Sequence, residues 1–280
     1  MVKAVKKFFP IFLLPTLLAF IIGFLAPFVF GIYLSFCKFV IVTDAKWVGL
    51  KNYINIFNDG RFIHAMWFTA LYTVVSVIVI NVLAFTVALL LTKGLKGTNI
   101  FRATFFMPNL IGGIVLGYVW KLIFNGILSY FGITLTQAAT YGFWGLVILT
   151  AWQQIGYMMI IYIAGLQNIS DDIIEAAKID GATSMQTLFK IKIPTVMPSI
   201  TICTFLTLTN SFKLFDQNLA LTGGEPAYKT EMLALNIYST FYGSVGQEGV
   251  GQAKAVVFFV LVGLVALLQL YFTRSKEVQQ

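Results

Sequence analysis

Apolar residues fall into six long runs along this chain, and clusters of polar or charged residues end each run. A transmembrane helix takes about 20 consecutive, mostly apolar residues. The runs are Phe9–Phe36, Ala65–Thr92, Ala103–Phe124, Phe143–Leu166, Thr195–Asp216 and Ala253–Thr273, which predicts six transmembrane helices. Prolines mark the irregular places. Pro10, Pro15 and Pro27 are expected to kink or delimit the first helix, and Pro108 to break the start of the third. The longer polar stretches Cys37–His64 and Gln217–Gln252 share one side of the membrane. Residues 1–64 read as a first helix with an outer segment, 65–273 as a single membrane domain, and 274–280 as a short cytoplasmic tail. No internal repeat is visible. The first run follows Lys3, Lys6 and Lys7 and so imitates a secretory leader. It is too long for a leader's apolar core and has no clear cleavage site, so it reads as a retained helix.

Composition agrees with this pattern. The chain has 280 residues, of which 59% are hydrophobic and 11% charged, with a mean hydropathy of +0.86, values of a polytopic membrane protein. The net charge of +8 does not point to nucleic acid, because the basic residues punctuate apolar runs and form no patch. Loop charge sets orientation instead. Eleven Lys and Arg fall on the side of the termini and eight on the other. Lys93, Lys96 and Arg102 crowd one tight turn, which places that turn and both termini in the cytoplasm.

Several chemistries are missing. No GxxxxGK[ST] phosphate loop occurs, so ATP binding and hydrolysis are not expected of this chain. There is no HExxH, no GxSxG and no paired His/Cys ligand set. Cys37 and Cys203 form no disulfide framework, and His64 reads as a solvated loop residue. No acid sits near the middle of a run, which weighs against an ion-coupled secondary carrier. A membrane enzyme is disfavoured too, for want of a nucleophile or an acid–base pair.

Between the fourth and fifth runs lies a polar insert, EAAKIDGATSMQTLFKIKIP, from Glu175 to Pro194. Ser170 can cap a helix whose first turn holds Asp171 and Asp172, where the helix dipole favours acids. Ala176 and Ala177 keep that helix thin, and Gly181 can stop it. Thr183 and Gln186 have capping-box spacing for a second short helix, expected to end before Pro194. A helix pair of this size on a membrane face suggests a docking element.

The residues Glu175, Ala176, Ala177, Asp180, Gly181, Ile191 and Pro194 resemble the cytoplasmic EAA loop of ABC-transporter permeases, with Ile193 where the family usually has Leu. The likeness extends through VGLKNYINIF (Val48–Phe57), RATFFMPNLIGGIVLGYVWKLIFN (Arg102–Asn125), WQQIGYMMIIYIAGLQNISDDIIE (Trp152–Glu175) and FKLFDQNLALTGGEP (Phe212–Pro226). Together these are similar to carbohydrate-uptake permeases, specifically the maltose-permease-like half of a heterodimeric pair. One departure is Glu225, which separates Gly224 from Pro226 where the family often has Gly-Gly-Pro.

The resemblance implies an all-α bacterial inner-membrane protein with the six-helix importer core. It implies a second permease subunit, two ATPase subunits that bind ATP and magnesium so that this chain needs no cofactor, and an extracytoplasmic solute-binding protein. It also implies an EAA loop that docks the ATPase. In the maltose branch the sugar is held by positions that fall here on Asn109, Gly113, Thr150, Gln154, Thr207, Asn210, Ser211 and Leu214.

The residues themselves agree with a sugar. Uncharged amides and hydroxyls in a membrane helix need a partner or a polar cavity. Thr150 and Gln154 are four apart on one face, and Thr207, Asn210, Ser211 and Leu214 follow an i, i+3, i+4, i+7 stripe. Interhelical hydrogen bonding would use the same residue types. Trp120, Trp152 and Tyr157 could stack on sugar rings, although packing roles are preferred. Two alternatives stay open: a permease for glycerol phosphate or peptide, for which Lys121 and Lys213 would serve an anionic cargo, and a secondary carrier.

Overall fold

The computed structural model describes residues 9, 13–94 and 96–274. Lys3, Lys6, Lys7, Pro10 and the tail beyond Arg274 lie outside the described residues. Two compact units emerge: Met1–Gly60 with Ile237–Phe259, and Arg61–Asn236 with Val260–Gln280.

In the first unit, helix α1 (Leu13–Ser35) contains a widened turn over Ile21–Leu25. Pro27 therefore falls at the start of a resumed α-helical segment, where a missing N–H is tolerated. A small antiparallel hairpin follows, pairing β1 (Cys37–Lys38) with β2 (Lys46–Trp47). Helix α2 (Lys51–Phe57) is tied to it by Asn52, whose Nδ2 donates to the carbonyls of Ser35 (2.8 Å) and Cys37 (2.9 Å). Lys254 is buried, and its Nζ lies 2.7 Å from Asp59 Oδ2 and 2.9 Å from Thr240 Oγ1. A buried ammonium is tolerated when paired in this way.

The second unit opens on a long helix. Helix α3 (Gly60–Leu91) has 32 residues and so runs about 48 Å, well over the hydrocarbon thickness of about 30 Å. It starts five residues before the expected Ala65, because Gly60 and Arg61 already have helical geometry. His64 is consequently a helix residue, not a loop residue, and its Nε2 sits 3.0 Å from the Lys229 carbonyl.

The third span is broken. Helix α4 (Thr98–Phe106) and a tight turn over Met107–Leu110 meet α5 (Gly113–Ser129) at 101°. The break follows Pro108, with Ile111 and Gly112 extended. Helix α6 (Ala139–Gln167) is unbroken and is the central element. Two-thirds of its most apolar window is buried within the chain, against about a quarter for α3. Its residues Ala151, Met158, Tyr162 and Ile163 share a core with Ile80, Ala84 and Ala88 of α3.

Helix α7 (Asp171–Ile179) and helix α8 (Ser184–Thr195) form the polar insert. Ser170 Oγ accepts from Asp172 N at 3.3 Å, and Thr183 and Gln186 complete a reciprocal capping box. Between them Gly181 takes a left-handed φ of 75°, and Ala182 N bonds back to Ala177 O at 2.9 Å. This is the Schellman geometry that glycine makes accessible. The second helix does not end before Pro194. A widened turn over Leu188–Lys192 lets the chain restart a helical turn at Ile193, with Pro194 in its tolerant first positions.

The helix stops instead at Val196 and meets α9 (Met197–Phe212) at 70°. The expected fifth span, Thr195–Asp216, is therefore shorter. It ends at Phe212, and Asp216 opens a separate short helix, α10 (Asp216–Leu221). Helix α11 (Leu233–Gly243) and the long α12 (Glu248–Arg274) complete the chain. Among the described residues, four helices can cross a membrane singly and two bent pairs can each form one further span, six in all. Only about 6% of the apolar windows of α1 and α12 is buried within the chain. Helices so apolar on every side require lipid or another apolar surface around them.

Candidate functional site

The break in the third span opens on one polar cavity. It has a volume of about 340 Å³ and is lined by Asn109 from the turn after α4, Gln153, Gln154 and Tyr157 from α6, Asn210 from α9, and residues 213–217 around the start of α10. That volume is at the lower end of the range for small-molecule pockets, about 300–1,000 Å³. Five of the lining side chains are amides, each able both to donate and to accept.

Local geometry explains how the polar groups converge. Breaking the third span at Gly112 turns Asn109 out of the line of α5. Gly113 does not offer a side chain; it makes room. A Cβ on Gly113 would lie 2.7 Å from Asp216 Cβ, and one on Gly117 2.7 Å from Ala220 Cβ. These glycines, four apart on one helix face, let α10 pack directly on α5 and bring Asp216 and Gln217 to the cavity. Gln217 Nε2 donates to Gln153 Oε1 at 2.7 Å, and Gln153 Nε2 donates to the Ile111 carbonyl at 3.2 Å. Asn218, fully buried, holds the other side of α10: its Nδ2 donates to Thr230 O (2.8 Å) and its Oδ1 accepts from Met232 N (3.0 Å).

Of the eight expected cargo positions, the cavity gathers Asn109, Gln154, Asn210 and Leu214. Gln154 is 8% exposed, and its Oε1 has no hydrogen-bond partner. Ser211 is buried nearby on the α9 stripe, and its hydroxyl is also without a partner. Thr150 and Thr207 are committed to packing helices together. Tyr72 OH and Thr150 Oγ1 are 2.7 Å apart, and Asn81 Nδ2 donates to Thr207 Oγ1 at 2.9 Å. Asn81 in turn accepts from Tyr162 OH at 2.6 Å.

Four lining residues were not among those expected, Gln153, Phe215, Asp216 and Gln217, and Lys213 was expected there only for an anionic cargo. The signal for them was the cluster of polar residues that ends the fifth run, together with the glycine pair Gly113 and Gly117. Tyr157 reaches the cavity, whereas Trp120 packs edge-on against Trp152 with centroids 5.4 Å apart.

The coupling-loop candidates lie apart from this cavity. Glu175, Ala176, Asp180 and Gly181 are exposed, Ile191 and Pro194 are half-buried, and Ala177 is buried, packing α7 to its surroundings. Ile179, Met185 and Phe189 leave a large apolar exposure on the same helix pair.

A membrane helix broken beside a polar cavity lined mainly by uncharged groups is an arrangement found in solute-translocating membrane proteins. Comparison with known proteins gives the family. Residues 96–278 match the binding-protein-dependent transport system inner membrane component, and the chain belongs to that family. It is a transport component and not an enzyme.

One relative is the "Probable starch degradation products transport system permease protein AmyD" of Thermoanaerobacterium thermosulfurigenes. It is 43% identical over 278 residues, covering 96% of this chain and 94% of the relative. The multiple sugar-binding transport system permease protein MsmF of Streptococcus mutans serotype c is 32% identical, covering 95% of each chain. In fold, the chain is similar to a solved bacterial ABC transporter involved in the import of the acidic polysaccharide alginate. The TM-score is 0.82, with 98% of both chains covered at 19% identity.

Proposed function

We propose that this chain is the membrane-spanning permease subunit of an ABC importer that carries a neutral oligosaccharide through the cavity beside α6. The observation that carries this reading is the cluster of five amides, Asn109, Gln153, Gln154, Asn210 and Gln217, around one cavity. Sugar hydroxyls both donate and accept, and paired amides answer both roles. Tyr157 and Phe215 supply ring surface beside them. The sugar-transport names of the two relatives support the same cargo class.

In this reading the cargo positions are Asn109, Gly113, Thr150, Gln154, Thr207, Asn210, Ser211 and Leu214. Asn109, Gln154, Asn210 and Leu214 contact cargo. Gly113, Thr150, Thr207 and Ser211 shape the walls. The helix pair α7–α8 docks an ATPase subunit through Glu175, Ala176, Ala177, Asp180, Gly181, Ile191 and Pro194. A second permease subunit covers the exposed apolar helices, and two ATPase subunits bind ATP and magnesium. An extracytoplasmic solute-binding protein delivers the sugar, and both termini are cytoplasmic. ATP-driven closure of the ATPase pair moves α7–α8 as a rigid body and reorients the broken spans around the cavity.

Lys213 at the cavity wall favours a second reading, an anionic cargo such as glycerol phosphate, but Asp216 stands in the same wall and offsets its charge. Uptake into proteoliposomes holding the whole complex separates the two. Labelled malto-oligosaccharide uptake should be unaffected by excess glycerol 3-phosphate or peptide and abolished by excess unlabelled malto-oligosaccharide. Competition by glycerol 3-phosphate alone would establish the second reading.

A further inference from the structure

A second cavity, of about 320 Å³, lies away from the cargo site, where α3, α7 and α8 meet. Three cationic side chains line it, Lys93, Lys178 and Lys192, and each follows an apolar lining residue four positions earlier: Leu89, Ile174 and Leu188. Ile174 and Lys178 share one face of α7, while Lys93 lies two residues past the end of α3 and Leu188–Lys192 is the widened turn of α8. Three stretches of chain, the end of α3, α7 and α8, each place one apolar and one cationic group in the same space. None of the three ammonium groups has an ion-pair or hydrogen-bond partner among the described residues, and no acidic side chain lines the cavity. Lys93 follows the last residue of α3 by two positions, so the cavity opens where a membrane helix ends.

We propose that this cavity binds the phosphate of an anionic phospholipid, with its acyl chains against Leu89, Ile174 and Leu188. The apolar half of the lining favours a lipid over a free anion, since inorganic phosphate has nothing to place there. Basic pockets at the cytoplasmic ends of membrane helices recognise anionic headgroups through this combination of charge and greasy contact. Bound there, the lipid would bridge α3 to the helix pair α7–α8. The inference rests on the cavity and on the proposed cytoplasmic placement of this helix pair, and does not depend on the nature of the cargo.

The test uses the full-length chain in nanodiscs of phosphatidylcholine with or without phosphatidylglycerol. Lipid retained after transfer to neutral detergent is quantified by mass spectrometry. Wild type should retain phosphatidylglycerol selectively, and excess inorganic phosphate should not displace it. Each of Lys93→Gln, Lys178→Gln and Lys192→Gln should weaken retention about fivefold. The triple Lys→Arg variant should retain the lipid, and the exposed pair Lys46→Gln/Lys229→Gln should change nothing. Equal retention by the triple Lys→Gln variant would overturn the proposal. So would displacement by inorganic phosphate, which would make this a free-anion site. Unchanged retention with loss of ATPase assembly would also contradict it, assigning the lysines to the partner subunit.

Discussion

Gln217 Nε2 donates to Gln153 Oε1 across 2.7 Å, fastening the short helix α10 to the central helix α6 beside the cargo cavity. The same Gln153 holds the Ile111 carbonyl with its amide nitrogen. One side chain thus ties together the break in the third span and the helix that follows the fifth. A double-mutant cycle on Gln153→Ala and Gln217→Ala, read by unfolding of the detergent-solubilised chain, should give a coupling energy of about 0.5–1.5 kcal/mol. A coupling near zero would mean that the two amides do not interact.

Gln154 and Asn210 face the cavity from α6 and α9. Gln154→Leu and Asn210→Leu should each weaken transport by about 2- to 12-fold in effective affinity, the equivalent of one neutral hydrogen bond of about 0.5–1.5 kcal/mol. Assembly with the partner subunits should be unaffected. Kinetics of sugar uptake with both variants provide the check. Wild-type apparent affinity in both would reduce these amides to packing groups.

Gly181 has a φ of 75°, and no atom lies within 4 Å of where its Cβ would be. The penalty for a side chain is thus conformational and not steric. A residue with a Cβ in the left-handed region costs roughly 1–2 kcal/mol, and a β-branched one is the worst case, whereas Asn visits that region more readily. Gly181→Val should uncouple ATP hydrolysis from transport, and Gly181→Asn should preserve most coupling. The ratio of ATP hydrolysed to sugar moved, measured in purified complexes, distinguishes them. Equal coupling in Val and Asn variants would remove the left-handed turn from the mechanism.

Gly117 packs against Ala220 so closely that a Cβ would lie 2.7 Å from the alanine's own Cβ. Gly117→Val should push α10 off α5 and destabilise the unit by about 1–3 kcal/mol, the usual range for overpacking. A thermal midpoint equal to wild type would show that α10 is not held there.

How much of this was legible in the sequence differs from span to span. The second, fourth and sixth spans were readable because each is one uninterrupted apolar run, and their ends moved by only a few residues. Pro108 announced the break in the third span. Pro194 misled, because a proline reads as a helix stop, yet the widened turn before it let the helix run on to Thr195. In the cavity, Asn109, Gln154 and Asn210 stood out as amides inside apolar runs. Asp216 and Gln217 were hidden by their position at the end of a run, where charge and polarity usually mean water, and Lys213 was readable only as a contact for an anionic cargo. Only the fold shows that the chain turns back there, against the glycine face of α5. The partners of Thr150 and Thr207 were likewise invisible, since Tyr72 and Asn81 are more than 70 residues away in the chain.

The most direct test of the account is its energy source. The purified complex of this chain with its second permease and ATPase subunits, sealed in proteoliposomes with the binding protein on the outer face, should accumulate labelled malto-oligosaccharide only when ATP and magnesium are present on the ATPase side. Proton or sodium gradients alone should drive nothing. Accumulation driven by an ion gradient in the absence of ATP would contradict the account and make this chain a secondary carrier.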